Sequence, residues 1–272
     1  MTTELLPKKV RTSTLRDFKV AGQKFSCLTS YDHLTAGIFD EAGIEVLLVG
    51  DSAADNALGY TSTLPITIEE MIPFARAVSS AAKRALVVVD MPFGSYEVSV
   101  ETALANGIRI LKESSAHAIK LEGGARVAAQ IEALTAAGVP VMAHLGFTPQ
   151  SVNQLGGFKV QGRGEAAEAL MADALAVQQA GAFALVLELV PAPLAAEITS
   201  ALEIPTIGIG AGNGTDGQIL VWTDFAGLTS QKPRKFVRRF ANLREQLFGA
   251  AQSYRAQVQS SDFPSAEESF SE

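Results

Sequence analysis

The sequence is poor in cysteine, has no excess of positive charge and lacks long apolar runs. Cys27 is the one cysteine among 272 residues, which rules out an intrachain disulfide and is typical of a reducing cytosol. The net charge of −7 at pH 7 argues against the basic field that nucleic-acid binding requires. No apolar run approaches the roughly 18 residues of a membrane span, and residues 1–9 lack the apolar core of a secretory signal. We therefore expect a cytoplasmic protein with neither nucleic-acid nor membrane partners.

The sequence does contain a series of short apolar segments that each end in an acidic residue. The four acids are Asp51, Asp90, Glu122 and Glu188. Runs rich in valine, leucine and isoleucine are typical of strands buried on both faces of a parallel sheet. Because parallel strands end at a common rim, we expect the four acids to converge there. For any single acid, a loop position or a helix N-cap is the alternative explanation.

Eight predicted strands alternate with helical stretches, and no linker rich in proline, glycine or serine divides them. Eight such units in about 250 residues match an α/β fold of the (β/α)8 TIM-barrel type, with a doubly wound open sheet as the main alternative. We assign residues 1–13 to a flexible N-terminal arm, 14–256 to a single catalytic barrel that opens with a short helix, and 257–272 to a disordered acidic tail. The predicted strands are 24–29, 46–49, 86–89, 117–121, 139–143, 183–187, 205–209 and 218–222, and the last predicted helix is 233–253.

Three irregular segments stand between the predicted elements. The loop 51–65 is long enough to suggest a function beyond connection. Residues 144–164 combine glycines with aromatic and basic side chains, which favours a lid or binding loop. The glycine-rich stretch 208–214 lacks the spacing and the early βαβ unit of a dinucleotide-binding fingerprint, so we interpret it as a tight turn.

The acids suggest a site for a hard cation. Lys120 and Glu122 are two residues apart on a predicted strand, so they project from the same face. Asp51, Asp90 and Glu122 form an all-oxygen set, which favours Mg²⁺ held by carboxylates together with waters and substrate oxygens. Zinc is less favoured, because the three histidines are scattered and Cys27 is alone.

Glu188 and His144 are candidates for contact with a substrate. Glu188 lies between apolar segments, and such surroundings disfavour the charged carboxylate, which suits a general base. The alternative is an acid that only favours a helix N-terminus. His144 ends the fifth predicted strand, where it either contacts a substrate or makes a structural hydrogen bond.

A set of motifs resembles the ketopantoate hydroxymethyltransferase family, in that family's order and over roughly residues 15–240. The resemblance implies a (β/α)8 barrel that transfers a hydroxymethyl group from 5,10-methylenetetrahydrofolate to 2-oxoisovalerate (3-methyl-2-oxobutanoate), giving ketopantoate for pantothenate and coenzyme A synthesis. It also implies a homodecamer of two pentameric rings. The motifs are Val49-Gly50-Asp51-Ser52, Asp90-Met91-Pro92-Phe93, Lys120-Leu121-Glu122-Gly123-Gly124, His144 through Ser151, Gln161-Gly162-Arg163-Gly164, Glu188-Leu189-Val190-Pro191 and Ile207 through Gly212.

The resemblance also implies roles for the motif residues. Asp51 and Asp90 would hold Mg²⁺, with Glu122 beside the ion directly or through water. Ser52 and Lys120 would bind the oxoacid, and Glu188 would accept a proton from it. We add His144, Asp51 and Asp90 to the expected substrate contacts. The chain departs from the family pattern within 53–59 and near 231–236, but at none of these ligand positions.

Two other functions are compatible with these residues. One is a Mg²⁺-dependent lyase or mutase that acts on pyruvate-like oxoacids on the same barrel and needs no folate. The other is a non-catalytic barrel that binds an acidic metabolite and would tolerate Glu188→Gln.

Overall fold

Eight parallel strands close into a barrel in the order of the sequence, β1 to β8. The structure, a computed structural model, describes residues 9–230 and 232–270. The barrel closes where β8 pairs with β1, with Cys27 opposite Ile219. The predicted (β/α)8 fold is therefore confirmed, and the open-sheet alternative is wrong. The strands are β1 Phe25–Thr29, β2 Val46–Val49, β3 Leu86–Asp90, β4 Ala118–Glu122, β5 Val141–Gly146, β6 Ala184–Glu188, β7 Thr206–Ile209 and β8 Gly217–Leu220.

Helices follow the strands, and two of them begin at well-formed N-caps. The Asp32 carboxylate accepts the Thr35 N–H at 2.9 Å, and Thr67 and Glu70 form a reciprocal capping box. The helices are α1 Thr12–Val20, α2 His33–Glu41, α3 Ala53–Asn56, α4 Ile68–Ala81, α5 Val100–Ser114, α6 Ala128–Ala136, α7 Val152–Leu155, α8 Ala166–Gln179, α9 Ala192–Ala201, α10 Trp222–Phe225 and α11 Leu243–Ser260.

The barrel interior is a packed core. Apolar side chains from all eight strands fill it, among them Leu86 and Val88 on β3 and Val186 on β6. Side chains alternate along a strand, so the residues between them, such as Val87 and Val89, face the surrounding helices and are also buried. This burial on both faces explains why the strands are continuously apolar in the sequence.

Helix α1 closes the amino-terminal end of the barrel. Val10 and Leu15 belong to the same core cluster as the barrel interior. Lys19 Nζ lies 2.9 Å from Asp216 Oδ2, just before β8. Residues 10–13, which we assigned to a flexible arm, therefore contribute to this end of the fold, because burying Val10 favours order. Residues 1–8 of the predicted arm lie outside the described residues.

The chain divides into two compact units at Val221 and Trp222. The first contains all eight strands. In the second, the predicted helix over 233–253 is wrong in position, since α11 runs from Leu243 to Ser260. Phe240 packs instead against Phe225, with ring centroids 5.2 Å apart, and residues 232–242 are irregular, with one turn at 235–236.

The predicted boundaries of the barrel domain and of the tail stay predictions. Dividing a chain into compact units does not show whether the units fold separately. Helix α11 continues through residue 260 and a short 3-10 turn follows at Ala266–Glu268, within the stretch that we assigned to a disordered tail. Among the described helices, none has the length and apolarity needed to cross a membrane.

Candidate active site

Six charged or titratable side chains meet at the carboxyl-terminal rim of the barrel. Each is at most 9% exposed, and on β3 to β6 they continue the rows of side chains that fill the interior. Asp90, for example, is two residues beyond Val88 on β3, so it projects inward above it. The convergence expected from the sequence is therefore present. We call this group the mouth cluster: Asp51, Asp90, Lys120, Glu122, His144 and Glu188.

Lys120 is the centre of the cluster. Its Nζ lies 2.9 Å from Asp90 Oδ1 and 3.2 Å from His144 Nδ1. Burial lowers the pKa of Lys120, but the carboxylates of Asp90, Glu122 and Asp51 outweigh this effect and hold its pKa above the ordinary lysine value. Lys120 is therefore a cation at neutral pH.

The cluster contains more carboxylates than one lysine can neutralise. Burial and the neighbouring Asp90 and Glu122 raise the pKa of Asp51 well above its usual range, and burial raises the pKa of Glu122 to about 7. Asp90 Oδ1 has the Lys120 ammonium at 2.9 Å as its charge partner but no hydrogen bond of regular geometry. Additional positive charge would relieve this repulsion, so the cluster fits a divalent cation.

The donor set suits a cation that keeps several non-protein ligands. In the described part of the chain, no three His, Cys, Asp or Glu side chains converge as direct metal ligands. One or two carboxylates are the usual protein share of a Mg²⁺ site, with waters and substrate oxygens completing the octahedron. Asp51 and Asp90 can supply that share, whereas Glu122 Oε2 accepts the Gln150 N–H at 3.0 Å.

His144 lies between Lys120 and Glu188. Burial, and then the Lys120 charge, lower the pKa of His144, so the imidazole is neutral at pH 7. Nδ1 also lies 3.3 Å from Glu122 Oε1, but an ammonium group can only donate, so the contact with Lys120 favours Nδ1 as the acceptor and Nε2 as the protonated nitrogen. Nε2 lies 3.3 Å from Glu188 Oε2, close to it but without a regular hydrogen bond.

Three polar residues of the site were missed by the sequence reasoning. The Tyr31 hydroxyl hydrogen bonds with Ser52 Oγ at 2.7 Å, beside the serine that we expected to bind the oxoacid. Tyr96 and Gln150 contact each other at 2.6 Å and both contact Glu122. Gln150 lies within one of the quoted motifs, but no local spacing indicates that its side chain turns inward.

Gly146 allows the backbone after β5 to approach the backbone of Glu188, the candidate base. Gly146 has a φ of 90°, and a Cβ there would lie 2.1 Å from the Glu188 carbonyl oxygen. The next amide, Phe147 N–H, donates to that same oxygen at 2.8 Å. Leu189, just beyond Glu188, has a φ of 49°, a left-handed conformation that is uncommon for leucine and is found at functional sites.

The irregular segment after β5 packs over this region. Phe158 packs at a tilt against the buried Phe147, with ring centroids 4.3 Å apart, and the Gln161 N–H donates to the Leu189 carbonyl at 2.9 Å. The segment is thus tied to the residue that follows Glu188. These contacts agree with the expected lid or binding loop.

The fold and the mouth cluster define the class of protein: a (β/α)8-barrel enzyme with its chemistry at the carboxyl-terminal rim. The sequence profile of ketopantoate hydroxymethyltransferase matches residues 9–266, and the chain belongs to this family. A 3-methyl-2-oxobutanoate hydroxymethyltransferase of Rhodococcus jostii (strain RHA1) is 58% identical over 97% of this chain and 91% of its own length. The protein of the same name from Mycobacterium sp. (strain KMS) is 59% identical over 96% and 93%.

Solved structures with the same barrel are much more distant in sequence. A phosphonopyruvate hydrolase, solved with oxalate and Mg²⁺, has a TM-score of 0.62 at 13% identity, over 95% of this chain and 93% of its own. A 2,3-dimethylmalate lyase of the PEP mutase/isocitrate lyase superfamily has a TM-score of 0.58 at 16% identity, over 95% and 91%. At these identities the likeness shows the fold alone, so it does not favour the lyase or mutase alternative.

Proposed function

We propose that this protein transfers a hydroxymethyl group from 5,10-methylenetetrahydrofolate to 3-methyl-2-oxobutanoate, giving ketopantoate for pantothenate and coenzyme A synthesis. One observation carries the proposal: a buried cluster of four carboxylates around one lysine, in a chain that belongs to this family. The net negative charge suits a metal, and the lysine suits an anionic oxoacid.

Asp51 and Asp90 are the proposed Mg²⁺ ligands, with Glu122 acting through a bound water. Bound Mg²⁺ would supply Lewis-acid polarisation of the substrate's keto group. The Asp90 carboxylate is already oriented, since its Oδ2 accepts the Asp51 N–H at 3.0 Å and its Oδ1 faces Lys120. This support keeps a ligand oxygen in place before the cation binds.

Lys120 and Ser52 are the proposed contacts to the oxoacid carboxylate. Lys120 supplies the positive charge, and Ser52 supplies a hydroxyl that is held by Tyr31 at 2.7 Å. Asp51, Asp90 and His144 line the same space and contact the substrate from the remaining sides. Because Lys120 stays charged, it attracts an anionic substrate at all physiological pH values.

Glu188 is the proposed general base that removes the C3 proton of the oxoacid. Its side chain is 12% exposed, which limits competition from water, and His144 Nε2 lies 3.3 Å from one of its oxygens. As the bond from C3 to the methylene carbon of the folate forms, one of the two C–N bonds of that carbon breaks. Water then replaces the second nitrogen and leaves a hydroxyl group on the carbon, and the protons from C3 and from water complete tetrahydrofolate.

The remaining expectations are part of the proposal. The folate is a co-substrate and stays free of covalent attachment to the protein. The proposed assembly is a homodecamer of two pentameric rings, and the proposed location is the cytoplasm. The partners are small molecules and further copies of the chain, without nucleic acid or membrane.

Deuterium exchange at C3 of 3-methyl-2-oxobutanoate tests the proposal. NMR in D₂O with Mg²⁺ and without folate should show exchange by the wild type that falls by about 10²–10⁴-fold in Glu188→Gln. Adding methylenetetrahydrofolate should then yield ketopantoate. Exchange that survives in the variant would move the base elsewhere, and turnover of an oxoacid without folate would favour a lyase. A wild type that shows neither exchange nor product would overturn the proposed function.

A further inference from the structure

Gln150 is a buried amide that joins two carboxylates of the mouth cluster. Its Nε2 donates to Asp51 Oδ2 at 3.0 Å, and its backbone N–H donates to Glu122 Oε2 at 3.0 Å. We propose that Gln150 is a positioning residue, which holds Asp51 and Glu122 in the orientation that receives the divalent cation. This inference rests on the metal site proposed above.

The orientation of the amide is determined by its other two partners. Nε2 also donates to the Met91 carbonyl at 3.0 Å, an atom that can only accept. Oε1 accepts from the Tyr96 hydroxyl at 2.6 Å. A flipped amide would direct its oxygen at both the Met91 carbonyl and the Asp51 carboxylate, which is repulsive. The amino group therefore faces Asp51.

Tyr96 in turn is held by the backbone of β4. Its side chain is fully buried, and its hydroxyl accepts the Glu122 N–H at 3.2 Å. The hydroxyl proton has two acceptors within reach, the Glu122 carbonyl at 3.3 Å and Gln150 Oε1 at 2.6 Å, and the shorter contact assigns it to Gln150. A chain of hydrogen bonds thus runs from β4 through Tyr96 and Gln150 to Asp51, and each bond orients the next.

A neutral donor is well suited to this position. A lysine or arginine beside Asp51 would neutralise the carboxylate and compete with a metal ion. The amide of Gln150 instead occupies Oδ2 of Asp51 without adding charge, so the surplus negative charge of the cluster is retained for the cation. Rotation of the Asp51 carboxylate would break this hydrogen bond. The bond therefore fixes the orientation of the other carboxylate oxygen, Oδ1, which is the one left for the cation.

The short 3-10 turn Pro149–Ser151 brings Gln150 to this point. The Gln150 side chain is 5% exposed, although it lies outside the strands. The contact with Glu122 is made by the backbone and is retained in any side-chain variant, whereas the contact with Asp51 is made by the side chain. Replacing the side chain alone therefore tests the positioning of Asp51.

The test is Mn²⁺ binding to the purified full-length chain, followed by electron paramagnetic resonance without substrate. In Gln150→Met, a side chain of similar length without donors, the dissociation constant for Mn²⁺ should rise by about 10–100-fold. The Mg²⁺ concentration needed for half-maximal turnover should rise in parallel. Gln179→Met, at the exposed end of α8, is the matched control and should bind Mn²⁺ as the wild type does.

A second variant separates positioning from folding. Tyr96→Phe keeps the amide but removes the hydroxyl that orients it, so Mn²⁺ binding should weaken in the same direction and by less. If Gln150→Met fails to fold, Tyr96→Phe alone decides the question. Wild-type Mn²⁺ affinity in a folded Gln150→Met would overturn the inference and leave the proposed function intact. A wild type that binds no Mn²⁺ would overturn the metal site and this inference together.

Discussion

His144 Nε2 lies 3.3 Å from Glu188 Oε2. Lys120 contacts the opposite ring nitrogen, which favours a ring proton on Nε2, the nitrogen nearer to Glu188. We expect this proton to orient one oxygen of Glu188 so that the other can face the substrate. The test is whether another donor of similar length can replace the histidine.

Replacing His144 by Gln should therefore preserve more activity than replacing it by Phe. A hydrogen bond to a charged group contributes about 1.5–3 kcal/mol, so His144→Phe should slow C3 exchange by roughly 10–150-fold. A glutamine amide can donate from nearly the same position as Nε2. Equal exchange rates in the two variants, measured by NMR, would show that the Nε2 proton has no role.

Asp51→Asn should stabilise the protein without metal and weaken its response to metal. The pKa of Asp51 is raised in the folded state, so folding disfavours its charged form and a neutral amide removes that repulsion. Wild type with Mg²⁺ at about 100 times its dissociation constant should gain roughly 2.7 kcal/mol of unfolding free energy. Thermal unfolding with and without Mg²⁺ measures both effects, and an undiminished Mg²⁺ response in the variant would remove Asp51 from the metal site.

Gly146→Ala should impair both stability and exchange, whereas Gly138→Ala should affect stability alone. Both glycines have similar backbone conformations, with φ of 90° and 87°, so each alanine variant pays a left-handed strain of roughly 1–2 kcal/mol. Only at Gly146 does the new Cβ meet the Glu188 carbonyl, at 2.1 Å, while Gly138 faces open space. The Tm of each variant reports the backbone strain, and its C3 exchange rate reports whether Glu188 has been displaced. Wild-type exchange in Gly146→Ala would contradict this role.

His117 lies just before β4, at the end of that strand opposite the mouth cluster. We expect it to make the stability of the protein depend on pH. Its Nδ1 accepts the Val87 N–H at 3.0 Å, and burial, then the Lys9 charge, lower its pKa below the ordinary 6.5. The unfolded chain therefore binds the proton more readily than the folded protein does. The contribution of neutral His117 to the free energy of unfolding is complete above pH 6.5 and is lost as the pH falls through the folded pKa.

His117→Asn keeps an acceptor near the Nδ1 position but does not titrate. Urea unfolding at several pH values between 7 and 5 should give a flatter dependence of unfolding free energy for this variant than for the wild type. Parallel curves for the two proteins would show that His117 titrates alike in both states.

The strands were predictable from their continuous apolar runs, and the inward-facing acids on β3, β4 and β6 from the position of each acid at the end of its run. A buried parallel strand must be apolar at every position except where its end reaches the rim, so Asp90 and Glu188 mark their own strand ends. The pair Lys120 and Glu122 belongs to the same face because side chains alternate along a strand. These local patterns were sufficient for the barrel and for four acids in one place.

The contacts of Gln150 and Tyr31 were not predictable in this way. Gln150 reaches Asp51 only because separate strands of the closed barrel bring their ends together, and no local spacing encodes that distance. The helix predicted over 233–253 was wrong for a related reason. Phe240 lies within that predicted helix, whereas in the structure it packs on Phe225, which is distant from it in the sequence.

The closure of the barrel by α1 has a kinetic consequence. Val10 and Leu15 fill the amino-terminal end with core side chains, so both reactants share the rim at the other end. The oxoacid must reach Lys120 at the bottom of that opening, and a folate bound above would obstruct it. We therefore expect ordered addition, with the oxoacid first and the folate second. Initial-rate kinetics should then show tetrahydrofolate leaving before ketopantoate.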